Sequence, residues 1–158
     1  MGMADEERIR RVEVVHPEGL FRVTLPPDWA WVPDEGGGAA VPPGDPGVLY
    51  FFAQAVTDRR ALPNLQRMLA GFLSQRGRPV LTEQLLTVRL GRHRGYAWRF
   101  LEERPQGEHA WFLWITGNLK AWLLVSYNCP AGYASSHQAE IDEILASLRL
   151  AEEEASDR

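Results

Sequence analysis

Residues 96–103, 108–116 and 120–127 alternate as strands do, yet neither side of the resulting sheet is polar. Pro105-Gln106-Gly107 and Gly117-Asn118 punctuate the three stretches as turns. Two-residue hairpins at both turns set a register. Arg104 opposite Gly107 places Phe100 opposite Trp111, Trp98 opposite Leu113 and Tyr96 opposite Ile115. Thr116 opposite Leu119 places Trp111 opposite Leu124 and Leu113 opposite Trp122. Directly opposed residues share a face. One face then carries Tyr96, Trp98, Phe100, Trp111, Leu113, Ile115, Trp122 and Leu124. The other carries Ala97, Arg99, Leu101, Ala110, Phe112, Trp114, Ala121, Leu123, Val125 and Tyr127. A sheet with one wet face would show polar residues at every second position. This meander therefore predicts a covering layer on each side.

The rest of the chain supplies those layers. Residues 12–15 and 20–25 read as short strands around the turn His16-Pro17-Glu18-Gly19. Pro26-Pro27 ends the second, because proline has no N–H to give a ladder. From Pro33 to Gly47, nine of fifteen residues are Gly or Pro, which predicts a loop and the most mobile part of the fold. Residues 48–56 predict a well-buried strand. Leu62, Leu65, Met68, Leu69, Phe72 and Leu73 fall at helical spacing, with Asp58 as the N-cap, Pro63 in the first turn, and Gly77 and Pro79 as the stop. Residues 81–90 predict a strand that turns through Gly91-Arg92-His93-Arg94-Gly95 into the meander, and Asn128-Cys129-Pro130 predicts the end of the sheet. Ser135 with Gln138 forms a capping-box pattern before a last helix striped by Ile141, Ile144, Leu145 and Leu148. Strands, helix, strands, helix is an α+β order, an antiparallel sheet sandwiched by helices. A single domain over residues 12–150 is expected, with a flexible N-terminus over 1–11 and a disordered acidic tail over 151–158.

The run Phe21-Arg22-Val23-Thr24-Leu25-Pro26-Pro27-Asp28-Trp29 resembles the F-x-v-x-l-P-x-x-W opening of PsbP-like proteins. The Gly91-to-Gly95 turn, the exit Tyr127-Asn128-Cys129-Pro130 and the helix end Ile144-Leu145-Ala146-Ser147-Leu148-Arg149-Leu150 are also similar to that family. The resemblance runs from about Val12 to Leu150 and rests on the order and spacing of these motifs. It implies an α/β/α sandwich, a fold that includes the Ran-binding nuclear import factor and bacterial DcrB-like proteins. It implies no shared catalytic set, since proteins of this fold bind unrelated partners. Some bacterial relatives are chaperones for secretion-system effectors.

Charge and chemistry remove several function classes. A chain of 158 residues buries enough surface to need no disulfide or metal staple, and the single cysteine, Cys129, excludes an internal disulfide. A net charge of −4 gives no support for a nucleic-acid or anionic-membrane surface. No window approaches the roughly 20 apolar residues of a membrane span. The first eleven residues lack an apolar h-region, so the expected compartment is the cytoplasm. Of 17 basic residues only Lys120 is not arginine, a bias that reads as genomic composition.

His16, His93, His109 and His137 form no HExxH, and no metal or cofactor is expected. His109 opposite Glu102 reads as an exposed cross-strand pair. A nucleophile at Cys129 would need His137 to reach its sulfur, and a buried thiol is the simpler reading. Gly36-Gly37-Gly38 lacks the Lys-Ser/Thr of a phosphate loop.

What remains is six tryptophans. Those of the meander read as core. Trp29 and Trp31 flank the Gly/Pro stretch, and aromatic residues beside a loop often anchor partners. The sequence therefore predicts a non-enzymatic binding or adaptor protein whose contact surface is Trp29, Trp31 and residues 33–47, with Tyr50 as a neighbour. The expected partner is another protein or a copy of the chain itself, with no nucleic acid and no membrane. The alternative is a pocket for an apolar small molecule between sheet and helix.

Overall fold

The computed structural model describes residues 11–44, 46–58 and 60–152; the expectations for residues 1–10 and 153–158 lie outside them. In chain order the described residues form β1 (Val12–Val15), β2 (Phe21–Leu25), β3 (Ala30–Asp34), β4 (Gly37–Val41), β5 (Val48–Ala55), α1 (Leu65–Gln75), β6 (Leu86–Leu90), β7 (His93–Arg104), β8 (Gly107–Gly117), β9 (Ala121–Pro130), α2 (Gln138–Ala146) and β10 (Arg149–Leu150). A seven-stranded antiparallel sheet runs β3-β4-β5-β9-β8-β7-β6, and a three-stranded one runs β1-β2-β10.

The first meander hairpin has the predicted register, with Arg104 opposite Gly107 and Phe100 opposite Trp111. The second is slipped by four residues: Thr116 faces Leu123, not Leu119. Asn118 causes the slip. Its Oδ1 accepts from the N–H groups of Lys120 and Ala121 at 2.8 and 3.0 Å, building a wider turn than two residues. An even slip leaves every side chain on its predicted face, since side chains alternate with period 2. β9 also continues through Asn128-Cys129-Pro130, where the sequence predicted a break.

Each face of the large sheet has its own core. Leu69 and Leu73 of α1 are fully buried against Leu113 and Ile115 of β8 and against Leu85. On the other face Phe21, Val23 and Leu25 of β2 join Leu49 and Phe51 of β5, Leu123 and Val125 of β9, and Ile141 and Ile144 of α2. The layer opposite α1 is thus a small sheet together with a helix, not a helix alone. The alternating apolar side of β2 has to be buried, and the large sheet is the surface available to bury it.

Both helices start later than expected. Asn64 caps α1, its Oδ1 accepting from the Arg67 N–H at 3.0 Å. Asp58 binds Arg60 instead, through the backbone N–H and Nε. Leu62 therefore lies outside the helix and is exposed. α2 begins at Gln138, preceded by a 3₁₀ turn over Ala131–Tyr133, with His137 at the cap position.

The Gly/Pro stretch is the main correction. β3 and β4 form a hairpin there, with Asp34 opposite Gly37. Gly36 turns it with a φ of +84°. At Gly37 a Cβ would stand 2.0 Å from the Phe51 carbonyl oxygen, and at Gly38 one would stand 2.5 Å from the Trp31 ring. Glycine here is a strand residue whose missing side chain admits its neighbours, with an aromatic ring filling the space.

Several arginines also have structural work. Phe100 and Trp111 stack at 6.0 Å with an 8° interplanar angle. Arg76 lies 4.8 Å over Trp111 and 4.7 Å over Phe72, and Arg78 lies 4.8 Å over Phe100. A planar guanidinium stacks on a ring in a way that an ammonium cannot. Composition alone does not account for these positions.

β10 is held partly by a titratable group. His93 Nε2 accepts the Leu150 N–H at 3.2 Å. Burial first, then the Arg92 and Arg149 guanidiniums, hold the imidazole below its usual range, with Glu152 opposing. Only the neutral ring can accept. Its contribution is full above the unfolded value near 6.5 and is lost as the pH falls below that toward the lowered folded value. Amide exchange at Leu150, corrected for intrinsic rate, is expected to quicken between pH 7.5 and pH 5.5, and His93→Gln should flatten that dependence. Equal acceleration in the variant would remove His93 as the cause.

Candidate functional site

α1 covers β7 and β8 but leaves the same face bare over β3, β4 and β5. Val32, Tyr50 and Phe52 stand there exposed, at 54%, 43% and 38%. They are neighbours by register: Val32 faces Ala39, and Ala39 faces Tyr50. Between Val32 and Asp34 of β3 and Tyr50 and Phe52 of β5, β4 contributes Gly37 and Ala39, both buried, so the surface is low along its middle. Phe52 leans on Trp122 at 5.7 Å, which links the patch to half-buried Trp122 and Leu124 on β9. A contiguous apolar surface of this kind marks an interaction site more often than scattered exposed residues do.

One polar pair sits within it. Tyr50 Oη donates to Asp34 Oδ2 at 2.8 Å. That hydrogen bond, and the negative charge of Asp34, push the phenol up from its usual value. Tyr50 thus stays a neutral donor with a fixed ring.

The sequence named Trp29, Trp31 and Tyr50 as one surface, and the structure places them in three settings. Only Tyr50 lies on the bare face. Trp31 is half-buried on the opposite face, against Phe51 at 5.8 Å. Trp29 is 4% exposed. Its Nε1 donates to Glu140 Oε2 at 3.1 Å, its ring meets His137 edge-on at 5.7 Å, and His137 Nδ1 lies 2.6 Å from Glu140 Oε1. Burial pushes the Glu140 carboxyl up, but the hydrogen bonds from His137 and Trp29 outweigh it and hold the group below its usual value. Val32 and Phe52 were not anticipated. In β5 only Leu49, Phe51 and Ala53 are buried, so the expected well-buried strand is one-sided.

The other chemical candidates resolve as follows. Cys129 is fully buried. His109 faces Glu102 as predicted, but its Nε2 lies 3.0 Å from Asn128 Oδ1, while Glu102 accepts from Trp111 Nε1 and Arg104 Nε. Among the described residues no three His, Cys, Asp or Glu side chains gather to hold a metal ion. No helix among them is long and apolar enough to cross a membrane.

No family model and no curated protein matches the sequence. Solved structures do. The cyanobacterial PsbP (CyanoP) of Synechocystis sp. PCC 6803 superposes with a TM-score of 0.63 over 89% of this chain and 92% of its own, at 8% identity. The fold is PsbP-like. LpqN of Mycobacterium tuberculosis, a protein involved in cell envelope biogenesis, also matches, with a TM-score of 0.64, 11% identity, and 96% and 98% of the two chains covered. A protein of Bacteroides thetaiotaomicron VPI-5482 matches at 0.66 with 18% identity over 91% of this chain; the PsbP-like chain spans half the length of that protein.

Proposed function

We propose that this chain is a non-catalytic binding protein that docks a protein partner on the bare half of its large sheet. The carrying observation is the exposure of Val32, Tyr50 and Phe52 side by side on a rigid sheet. Aromatic residues standing on fixed strands lose little conformational freedom on contact, which favours them as anchors. Tyr50 remains from the surface read in the sequence. Trp29 and Trp31 support it from behind, Trp29 by closing the opposite core and Trp31 by filling the space over Gly38.

The test is a comparative capture. Tyr50→Glu/Phe52→Glu removes the Asp34 hydrogen bond and the Phe52–Trp122 contact but nothing fully buried, so the melting temperature is expected to fall by about 2–8 °C with the chain still folded. A partner retained in stoichiometric amount by the parent, or a dimer seen by native mass spectrometry, is expected to be lost in the double variant. Partner sets that are identical for the two proteins would overturn the proposal, as would a parent that is bare and monomeric.

A further inference from the structure

A second hollow lies on the opposite face of the large sheet, where β7 and β8 extend past the small sheet and α2. It encloses about 360 Å³, within the size range of ordinary ligand pockets. Arg99, Leu101, Ala110 and Phe112 contribute from the two strands, and Ala134 closes it from the turn before α2. The four strand residues lie on one face, because Arg99 is directly opposite Phe112 and Leu101 directly opposite Ala110.

Three properties of the hollow point to one ligand chemistry. Its wall is flat and aromatic, since Phe112 stacks with Trp114 at 6.3 Å and 15°. Its base is low because Ala110 and Ala134 are small, while Leu101, 52% exposed, forms an apolar rim. Its one charged lining residue is Arg99, which among the described residues makes no hydrogen bond, ion pair or ring contact. The nearest acids on this face of the two strands, Glu103 opposite Glu108, are two residue pairs beyond Leu101 and Ala110 toward the hairpin tip, and Glu102 between them is on the other face. They disfavour an anion at that end and leave Arg99 as the place for one.

We propose that this hollow binds a small aromatic carboxylate, its ring against Phe112 and Leu101 and its carboxylate on the Arg99 guanidinium. The planar fork of arginine pairs both carboxylate oxygens at once, which sets the ligand's direction. Ring burial supplies most of the affinity and the ion pair supplies selectivity, since a pair beside water contributes little alone. The hollow and the bare half of the sheet are on opposite faces, so each reading stands or falls separately.

The probe is 2-naphthoate, titrated into the full chain by calorimetry and by amide NMR, with 2-naphthylmethanol as the uncharged counterpart. Binding below about 1 mM is expected for naphthoate, with the alcohol weaker by about fivefold. Arg99→Gln should bring naphthoate down to the alcohol's affinity without changing the alcohol, and Arg99→Lys should restore part of the difference. Leu101→Glu, at an exposed position that tolerates the change, should weaken naphthoate by about fivefold or more, and weaken it more than the alcohol. Ala134→Trp should fill the hollow and abolish both ligands, provided its melting curve shows that it folds. Shifts should centre on Leu101, Ala110 and Phe112. Absence of naphthoate binding at 1 mM would overturn the proposal, as would affinity unaltered in both Arg99→Gln and Leu101→Glu, or shifts centred on Tyr50 and Phe52.

Discussion

Trp29→Ala is expected to cost about 3–5 kcal/mol, the range for deleting a buried aromatic side chain. For a domain of this size that corresponds to a fall in melting temperature of about 6–20 °C, measurable by circular dichroism. The indole is nearly inaccessible and belongs to the core formed by β2, β5, β9 and α2. Deleting it removes its packing and leaves Glu140 without the Nε1 donor, although His137 still binds that carboxylate. Trp29→Phe separates the terms, since it keeps most of the bulk and loses the hydrogen bond. That loss is worth about 1 kcal/mol, because the acceptor is partly in water. A fall of less than 2 °C for Trp29→Ala would mean that the ring is not part of the core and would return Trp29 to the surface.

Gly37→Ala should have the next largest effect. A Cβ at this position meets the Phe51 carbonyl oxygen at 2.0 Å, and that oxygen belongs to the strand with which β4 pairs. Backbone cannot rotate away as a side-chain tip can. The cost is expected at about 1–3 kcal/mol or above, as for overpacking, which is a fall of about 2–12 °C. The damage should also be local. β3 has β4 as its one neighbour in the sheet, so loosening β4 frees both. Amides from Ala30 to Val41 are expected to exchange faster while those of β7 and β8 keep their protection. Partner capture should fail in the same variant, because Val32 leaves the docking surface with β3. An unchanged melting temperature with unchanged exchange would contradict the close packing on which this rests.

The meander was legible because its faces depend only on parity. The Asn118 turn moved the second hairpin by four residues and no side chain changed sides. The β3–β4 hairpin was not legible, for a reason that concerns glycine. As punctuation, Gly36-Gly37-Gly38 reads as a loop, whereas the small residues there answer to Phe51, Phe52 and Trp31 pressing from adjacent strands. Such pressure is a tertiary property. Helix starts failed on a smaller point: Asp58 had the right chemistry for a cap but found Arg60, and Asn64 stood where the chain could turn. For the candidate site, Tyr50 was reachable from its position after the Gly/Pro stretch. Its companions Val32 and Phe52 depend on how far α1 extends across the sheet, and its eleven residues lie chiefly over β7 and β8.

The pairing of β10 with β2 also bears on the order of events during synthesis. Leu150 lies against Phe21, so the core they share cannot close until residue 150 has cleared the ribosome. The roughly 130 intervening residues take about 6–26 s at about 5–20 residues per second. Throughout that interval Phe21, Val23 and Leu25 have β1 for company and no finished layer to lie on. The core under α1 is assembled from nearer stretches of chain and can be in place earlier. A nascent chain stalled before β10 should therefore present a half-built domain, one face of its central sheet sealed and the other still open to chaperones.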